Sequence, residues 1–259
     1  LMSPRAAGRE FVGVLTSPPP HGMPAEERAK VKQLEDLFVD LGVNNADEVK
    51  ALGIRVGDTI TPRAEFRVMN NPNYLLGKAW DDRIGAAVAT AVLRNLKDTP
   101  HAADVYAVGT VQEEVGLRGA QTAGYAVHPD IAIALDVTLA SDVPDAKYGT
   151  PLGSGVTLCL MDGSVICNRE LVYIMEEICD ELGISYVHDI FLRGGTDSGA
   201  IHKLFNGVLN MTISLPARAI HSHRAVIHRK DVADTIALLT EFCRRLDADM
   251  VERIRRSNR

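Results

Sequence analysis

Two adjacent glutamates, Glu113 and Glu114, carry the clearest chemical signal in this sequence. They follow an apolar run at residues 105–111, which predicts a buried strand. A carboxylate beside a protein core is costly unless a hydrogen-bond donor, a cation or a metal ion compensates its charge. A solvated turn would ordinarily explain one such pair. Further acids and a histidine at comparable positions favour a metal site instead.

A second acidic pair, Asp81 and Asp82, begins a segment whose apolar residues recur at helical spacing from Ile84 to Leu96. Both carboxylates are therefore expected at the positive N-terminus of a helix. Because Asp is also a favoured N-cap residue, one of the two is expected to serve only as a cap or an orienting group.

Asp136 and His221 follow two further strand-like runs, at residues 131–135 and 208–215. In an open α/β sheet, functional residues gather in the crevice at the carboxyl ends of the strands. A histidine by itself would more often be a hydrogen-bonded structural residue. Because several acids occupy comparable positions, a metal-ligand role for His221 is the better interpretation.

Carboxylate oxygens and an imidazole nitrogen are ligands that suit a pair of zinc-like ions. In a two-metal hydrolase, such ions polarise the substrate carbonyl and lower the pKa of a shared water. A nearby carboxylate then takes the proton of that water and passes it to the leaving amine. Glu113 is predicted to be this general base, and Glu114 a metal ligand.

Five segments in fixed order carry a resemblance to a known family. They are GKAWDDRIG (77–85), QEEVGLRGA (112–120), DVT (136–138), GGTDSG (194–199) and IHS (220–222). Together they resemble the tetrahedral aminopeptidase family, which includes glutamyl and deblocking aminopeptidases and was once labelled cellulase or endoglucanase M. The cellulase label fits less well, because a glycosidase needs two carboxyl groups that flank one bond, whereas the acids here cluster with a histidine as ligands would.

The resemblance implies a role for each residue of the candidate metal site. Asp81 would bridge two divalent ions, zinc or alternatively cobalt. Glu114 and His221 would complete one ion, and Asp136 would bind the other. Glu113 would act as the general base of an aminopeptidase that removes N-terminal amino acids from peptides.

The resemblance also implies supporting roles around that site. Asp82 would support the bridging carboxylate. The loop containing Gly194, Gly195, Thr196 and Asp197 would line the pocket for the first side chain of the substrate. Read alone, this loop is only a glycine-rich turn.

The fold implied by the resemblance is a three-layer α/β sandwich of the zinc-dependent aminopeptidase type, with a small β-rich inserted oligomerisation domain. The chain organisation agrees, because short strand and turn signals before residue 75 give way to alternating helices and strands. We expect a partial oligomerisation domain at 1–75, with a strand at 36–41 and a helix at 46–52. The catalytic domain is expected at 76–259. Its helices are predicted at 82–97, 118–127, 169–182 and 230–256.

One departure from the family bears on the second ion. Family members carry an upstream histidine in a His-X-Asp-Glu-like segment, and His21 instead resembles a Pro-Pro-His stretch inside the inserted domain. The sequence therefore predicts that this N-terminal segment is missing, and that the ion held by Asp81 and Asp136 is under-coordinated. The alternative function is a catalytically impaired assembly or metal-binding subunit.

The composition of the chain excludes some classes of binding partner and cellular location. A net charge of −6 and the lack of basic runs with interleaved aromatic residues argue against nucleic acid. No apolar stretch approaches a membrane span and no signal peptide opens the sequence, so the cytoplasm is the expected location. The four cysteines show no metal-type spacing and are expected to be buried small hydrophobic residues. Peptide substrates and a large homo-oligomer, such as a dodecamer, are the partners that the resemblance implies.

Overall fold

A computed structural model describes residues 9–28 and 30–257 of the protein. The chain divides into two compact units, Leu1–Ala64 and Glu65–Arg259. The sequence places a change of organisation near residue 75. In the structure, residues 65–75 belong to the second unit.

The first unit contains a small antiparallel sheet, in which Val14 pairs with Asp40. The strand predicted at 36–41 and the helix predicted at 46–52 both form. The helix begins at an N-cap, Asn45, whose side-chain oxygen accepts the backbone N–H groups of Asp47 and Glu48 at 3.1 and 3.0 Å. The elements are β1 (Val14–Thr16), α1 (Ala25–Arg28), β2 (Phe38–Asp40) and α2 (Ala46–Ala51).

Within residues 65–257, seven strands of the second unit form two sheets. They are β3 (Arg67–Val68), β4 (Tyr74–Gly77), β5 (Ile131–Leu139), β6 (Val156–Asp162), β7 (Tyr186–Phe191), β8 (Leu209–Ala217) and β9 (Ala225–His228). One sheet has the order β3-β4-β9 and the other the order β5-β8-β6-β7. In the larger sheet, β5 runs parallel to β8, β6 runs parallel to β7, and β6 is antiparallel to β8. All residues of β8 are buried, including the polar residues that alternate with apolar ones in its sequence, LNMTISLPA, as expected for a strand covered on both faces.

The helices of this unit confirm most of the helical predictions. Three of the predicted segments form helices within two residues of the expected bounds. The helices are α3 (Trp80–Leu96), α4 (Arg118–Val127), α5 (Arg169–Leu182), α6 (Ser198–Ile201), α7 (Arg229–Arg245) and α8 (Ala248–Ser257).

The single helix predicted at 230–256 is wrong, because the chain breaks between α7 and α8. Leu246 is extended, with ψ of 121°. Asp247 then accepts the backbone N–H of Met250 at 2.8 Å, which caps a new helix. Apolar spacing continues across the break, so periodicity alone could not locate it.

Helices cover both faces of the larger sheet, which gives the predicted three-layer α/β sandwich. On one face, α7 contacts both α3 and α5, while α3 packs on β5 and α5 on β6. On the other, α4 contacts α6, and α6 packs on β5 and β8. The core between the layers includes the fully buried Leu158, Met175, Met211, Ile213 and Phe242. Within the described ranges, no helix is long and apolar enough to cross a bilayer.

Two strand predictions need correction. Residues 105–111 do not form a strand, and Tyr106 and Val111 are 65% and 66% exposed. Strand formation requires a neighbouring backbone, and none of the described residues pairs with this run. Asp136 does not end its strand either, because β5 continues to Leu139.

Candidate active site

Three side chains from distant parts of the chain converge at one edge of the second unit. The imidazole Nε2 of His221 lies 3.2 Å from Asp81 Oδ2 and 3.6 Å from Glu114 Oε2. One ligand atom from each of the three residues lies within 4.8 Å of the other two. Two carboxylates and one imidazole are a donor set that a divalent ion such as zinc accepts. The structure thus brings together the three residues assigned to one ion.

The backbone at the start of α3 separates the roles of the two aspartates. Asp81 and Asp82 have ψ angles of 106° and 50°, which are not helical, and the peptide bond between them is cis. Asp82 Oδ1 accepts the backbone N–H of Gly85 at 2.9 Å, so Asp82 caps the helix. The capping alternative therefore applies to Asp82, and the carboxylate of Asp81 faces His221.

A tight turn positions Glu113 and Glu114 between residue 111 and α4. The turn closes when Gly119 donates its backbone N–H to the carbonyl of Val111 at 2.8 Å. A Cβ at Gly119 would lie 2.3 Å from the nitrogen of Val111, so a larger residue would prevent this approach. Gly116 has φ of +125°, a conformation that also favours glycine. The glycines around the Glu-Glu pair therefore serve the turn that presents it.

His221 lies on a second strained turn, between β8 and β9. Ala219 and His221 both have φ of +57°, in the left-handed region that L-residues seldom adopt. Ser222 Oγ contacts the carbonyls of Ala219 and Arg224, each at 2.7 Å, and stabilises the turn. By contrast, the ring nitrogen of His228 accepts the backbone N–H of Lys230 and caps α7, which is a structural role.

Further carboxylates surround this triad and repel one another. Burial, with added repulsion from Asp197 and Glu114, raises the pKa of Glu113 to about 7. Burial raises the pKa of Asp82 to about 7 and that of Asp136 to about 8, and the neighbouring acids add to both shifts. Such clustered, raised pKa values are typical of functional sites, where a bound cation would favour the charged forms.

Asp136 lies in this cluster but outside the group of three donors. Its Oδ1 accepts the backbone N–H of Val137 at 2.7 Å, and repulsion from Asp82, Glu113 and Asp81 contributes to its raised pKa. Across residues 9–28 and 30–257, the group formed by Asp81, Glu114 and His221 is the one set of three donors close enough to hold an ion. A second ion at Asp81 and Asp136 stays a prediction.

The glycine-rich loop at 194–197 contributes one residue to the acidic cluster. Asp197 Oδ2 accepts a hydrogen bond from Thr110 Oγ1 at 2.6 Å, while its Oδ1 is buried and has no partner among the described residues. Thr196 instead contacts Asp162 Oδ2 at 3.1 Å and Thr212 Oγ1 at 2.8 Å, and Gly195 lies against Ser164. Sequence reasoning missed Thr110, because a threonine in a strand-like run carries no sign of a partner 87 residues away.

A cavity of about 1030 Å³ opens beside these acids. Five acids that sequence reasoning singled out line it, whereas Gly194, Gly195 and Thr196 do not. Its other walls are largely apolar. The lining acids are Asp82, Glu113, Glu114, Asp136 and Asp197.

Comparison with protein families gives a match over residues 5–238 to the M42 glutamyl aminopeptidase model. The putative aminopeptidase FrvX of Escherichia coli is 31% identical over 247 residues, covering 94% of this chain and 68% of the relative. A putative aminopeptidase of Acetivibrio thermocellus is 35% identical, covering 83% of this chain and 64% of the relative. The chain spans between 61% and 68% of the length of such curated relatives.

Solved structures that resemble this chain are also aminopeptidases. The TET aminopeptidase from a marine sediment archaeon, Thaumarchaeota archaeon SCGC AB-539-E09, superposes on this chain with a TM-score of 0.93 at 38% identity. The match covers 98% of this chain and 72% of the archaeal chain. The TET1 peptidase of Pyrococcus horikoshii, which can assemble into a tetrahedron or a large octahedral shell, has a TM-score of 0.80 at 27% identity. That match covers 91% of this chain and 69% of the Pyrococcus chain.

Proposed function

The chain belongs to the M42 glutamyl aminopeptidase family, and on this premise we propose that it is a metal-dependent aminopeptidase that removes N-terminal residues from peptides. One observation carries the proposal. Asp81 comes from the start of α3 and Glu114 and His221 from two separate turns, yet each presents a ligand atom within 4.8 Å of the others. Helix capping and core packing do not account for that convergence.

The donor chemistry fits a divalent ion. Asp81, Glu114 and His221 would hold one ion, and Asp81 and Asp136 would hold a second. Zinc is the metal that mixed carboxylate and imidazole donors favour, with cobalt as the alternative. When bound, such ions polarise a carbonyl and make a coordinated water more acidic.

Glu113 is the residue that we assign to proton transfer. It is adjacent to a ligand, lines the cavity, and is not one of the three grouped donors. A carboxylate whose pKa is raised towards 7 can take a proton from water and return it to a leaving amine. Asp82, held by the N–H of Gly85, would fix the backbone that presents Asp81.

Asp197 is the pocket residue that the contacts support best. Thr110 fixes one of its carboxylate oxygens, and the other is buried without a described partner. Asp197 Oδ1 is therefore available to accept a hydrogen bond from an N–H group at the N-terminus of a peptide substrate. Gly194, Gly195 and Thr196 would shape the loop that carries Asp197.

We also propose that the chain works as a homo-oligomer, possible sizes including a dodecamer, with residues 1–75 as the oligomerisation domain and 76–259 as the catalytic domain. The TET1 peptidase of Pyrococcus horikoshii can assemble into a tetrahedron or a large octahedral shell, which supports this proposal. A cytoplasmic location stays an expectation from the sequence.

The decisive experiment combines metal analysis with hydrolysis of a panel of aminoacyl p-nitroanilides. It uses the 259-residue chain and the longest polypeptide that its gene encodes, each purified in zinc or cobalt. We expect hydrolysis that chelation abolishes and metal restores. Bound metal without hydrolysis in either polypeptide would contradict the proposal and indicate a non-catalytic metal-binding subunit.

A further inference from the structure

The carboxylate of Asp162, the last residue of β6, binds two turns that are distant in the sequence. Its Oδ1 accepts the backbone N–H and the hydroxyl of Ser164 at 2.6 and 2.7 Å. Its Oδ2 accepts the hydroxyl of Thr196, 34 residues away in the chain, at 3.1 Å. Because Asp162 is only 5% exposed, these contacts are largely shielded from water. One side chain therefore closes the turn at 162–165, the β6 turn, and holds on it the loop at 194–199, the pocket loop.

The pocket loop lies directly on the β6 turn. Gly163 donates its backbone N–H to the carbonyl of Gly194 at 2.7 Å. A Cβ at Gly195 would lie 2.8 Å from Ser164 Oγ, and a Cβ at Gly199 would overlap the same atom. Only residues without a side chain permit so close an approach. The glycines of the pocket loop therefore serve its packing against the β6 turn.

Contacts with β8 anchor the pocket loop a second time. Thr196 Oγ1 lies 2.8 Å from Thr212 Oγ1. Ser198 Oγ accepts the hydroxyl of Thr212 at 2.9 Å and donates to the carbonyl of Met211 at 3.0 Å. Both Ser198 and Thr212 are buried. The pocket loop is thus fixed at Thr196 and Ser198, the two residues that flank Asp197.

Among the residues of the pocket loop, all of which the structure describes, only Asp197 lines the cavity. Thr110 donates to its Oδ2, and its Oδ1 is buried without a described partner. The direction of Oδ1 depends on the backbone at this position, which the anchored residues on either side hold in place. Displacement of a substrate-binding group by about 1 Å is enough to cost much of its effect.

We propose that Asp162 is a positioning residue for substrate binding. Through Thr196, it holds the pocket loop so that Asp197 presents its Oδ1 to the N-terminal N–H groups of a peptide. This role rests on the proposed function, since its ligand is a free peptide N-terminus. Asp162 does not line the cavity, so it acts only through the loop. A carboxylate that only closed the β6 turn would have no effect on peptide binding.

The test measures peptide binding by isothermal titration calorimetry. It uses the zinc-loaded Glu113→Gln form of the longest polypeptide that the gene encodes, because its turnover is expected to be slow. The ligands are tetra-alanine and N-acetyl-tetra-alanine, which differ at the N-terminal amine. Thr196→Val removes the hydroxyl that Asp162 holds and leaves the contacts with Ser164 intact. We expect it to weaken tetra-alanine binding about 10-fold, the equivalent of one hydrogen bond, with the acetylated peptide unaffected.

Three further variants identify the route of the effect. Thr196→Ser keeps the hydroxyl and should restore binding. Thr240→Val removes the hydroxyl of another half-buried threonine, on α7, and should leave binding unchanged. Asp162→Asn should weaken tetra-alanine binding about 10-fold, and its addition to Thr196→Val should cause little further loss, because both changes break one contact. Circular dichroism and metal analysis verify that each variant is folded and loaded.

Two results would overturn this role of Asp162 alone. One is that Thr196→Val binds tetra-alanine as tightly as the Glu113→Gln parent, or loses affinity for both peptides equally. The other is that Asp162→Asn has no effect, or that its loss adds in full to that of Thr196→Val. Equal binding of the two peptides by the parent would instead contradict the proposed function, and this role with it.

Discussion

Two carboxylates, the buried Asp231 and the half-buried Asp136, occupy contrasting settings in this protein. Asp231, 1% exposed in the first turn of α7, accepts the backbone N–H groups of Gly153 and Gly155 at 2.8 and 2.9 Å. Asp136 accepts one N–H, from the adjacent Val137, and its other neighbours include acids. Burial raises the pKa of both residues, but near Asp231 the charges of His228 and Lys230 lower it, whereas near Asp136 those of the neighbouring acids raise it further.

The comparison distinguishes a structural acid from a candidate functional one. The acceptors of Asp231 are matched by donors of the same chain, which fastens the loop before β6 to α7. The acids around Asp136 outnumber the donors that reach them. Such a cluster is stabilised by a cation from outside the chain, and it is available for chemistry.

The largest expected effect concerns the reaction rate. Glu113→Gln should lower turnover about 10²- to 10⁴-fold, because the amide keeps the shape of the side chain and removes the proton acceptor. Bound metal should be retained. Steady-state kinetics with metal analysis on the most active polypeptide measures this, and Glu252→Gln on α8, outside the acidic cluster, is the matched control. An unchanged rate would show that Glu113 is not the general base.

Metal binding is the next effect. Asp81→Asn should weaken both ions, since its two oxygens are assigned to different ions. We expect a loss greater than the roughly 10- to 100-fold seen when residues behind a ligand are changed. Metal content after dialysis gives the stoichiometry. Two tightly held ions in the variant would assign the bridge to Asp82 instead.

Substitutions of Asp231 and Asp136 should have opposite effects on the free energy of unfolding. Asp231→Ala leaves two backbone N–H groups without their acceptor and should cost about 3 kcal/mol of unfolding free energy. Above about pH 8, where Asp136 is ionised in metal-free protein, Asp136→Asn should cost little or increase stability, because it removes repulsion. Urea unfolding in chelator measures both variants. A larger loss at Asp136 than at Asp231 would contradict the distinction.

The last effect is a pH dependence of stability. Asp82 and Glu113 have pKa values raised to about 7, and Asp136 to about 8, whereas unfolded carboxyl groups titrate near 4. Since the folded state binds these protons more tightly, their contribution is fully present below about pH 4 and is lost as pH rises through 7 to 8. Metal-free protein should therefore lose stability over this range.

Two controls identify the source of this pH dependence. Asp136→Asn should reduce the slope, since it removes the carboxyl whose pKa is raised furthest within the cluster. Saturating zinc should reduce it as well, because a bound cation favours the ionised carboxylates. Thermal melts at a series of pH values follow both. An identical slope in the variant would indicate other titrating groups.

The sequence by itself determined the features that depend on nearby residues. The bounds of α4 and α5, the strands β5 and β8, and the position of the acids beside strands and helix starts follow from local spacing and capping. The ordered motifs also determined the family. Local pattern predicted that one of Asp81 and Asp82 caps α3, but could not say which one.

Tertiary structure decided what depends on residues far apart in the chain. The hydrogen bond from Thr110 to Asp197, the meeting of His221 with Asp81 and Glu114, and the buried oxygen of Asp197 have no local signal. Residues 105–111 have the composition of a strand, yet no described neighbour pairs with them. Strand formation depends on a second backbone that composition does not encode, whereas a helix forms its hydrogen bonds within one segment.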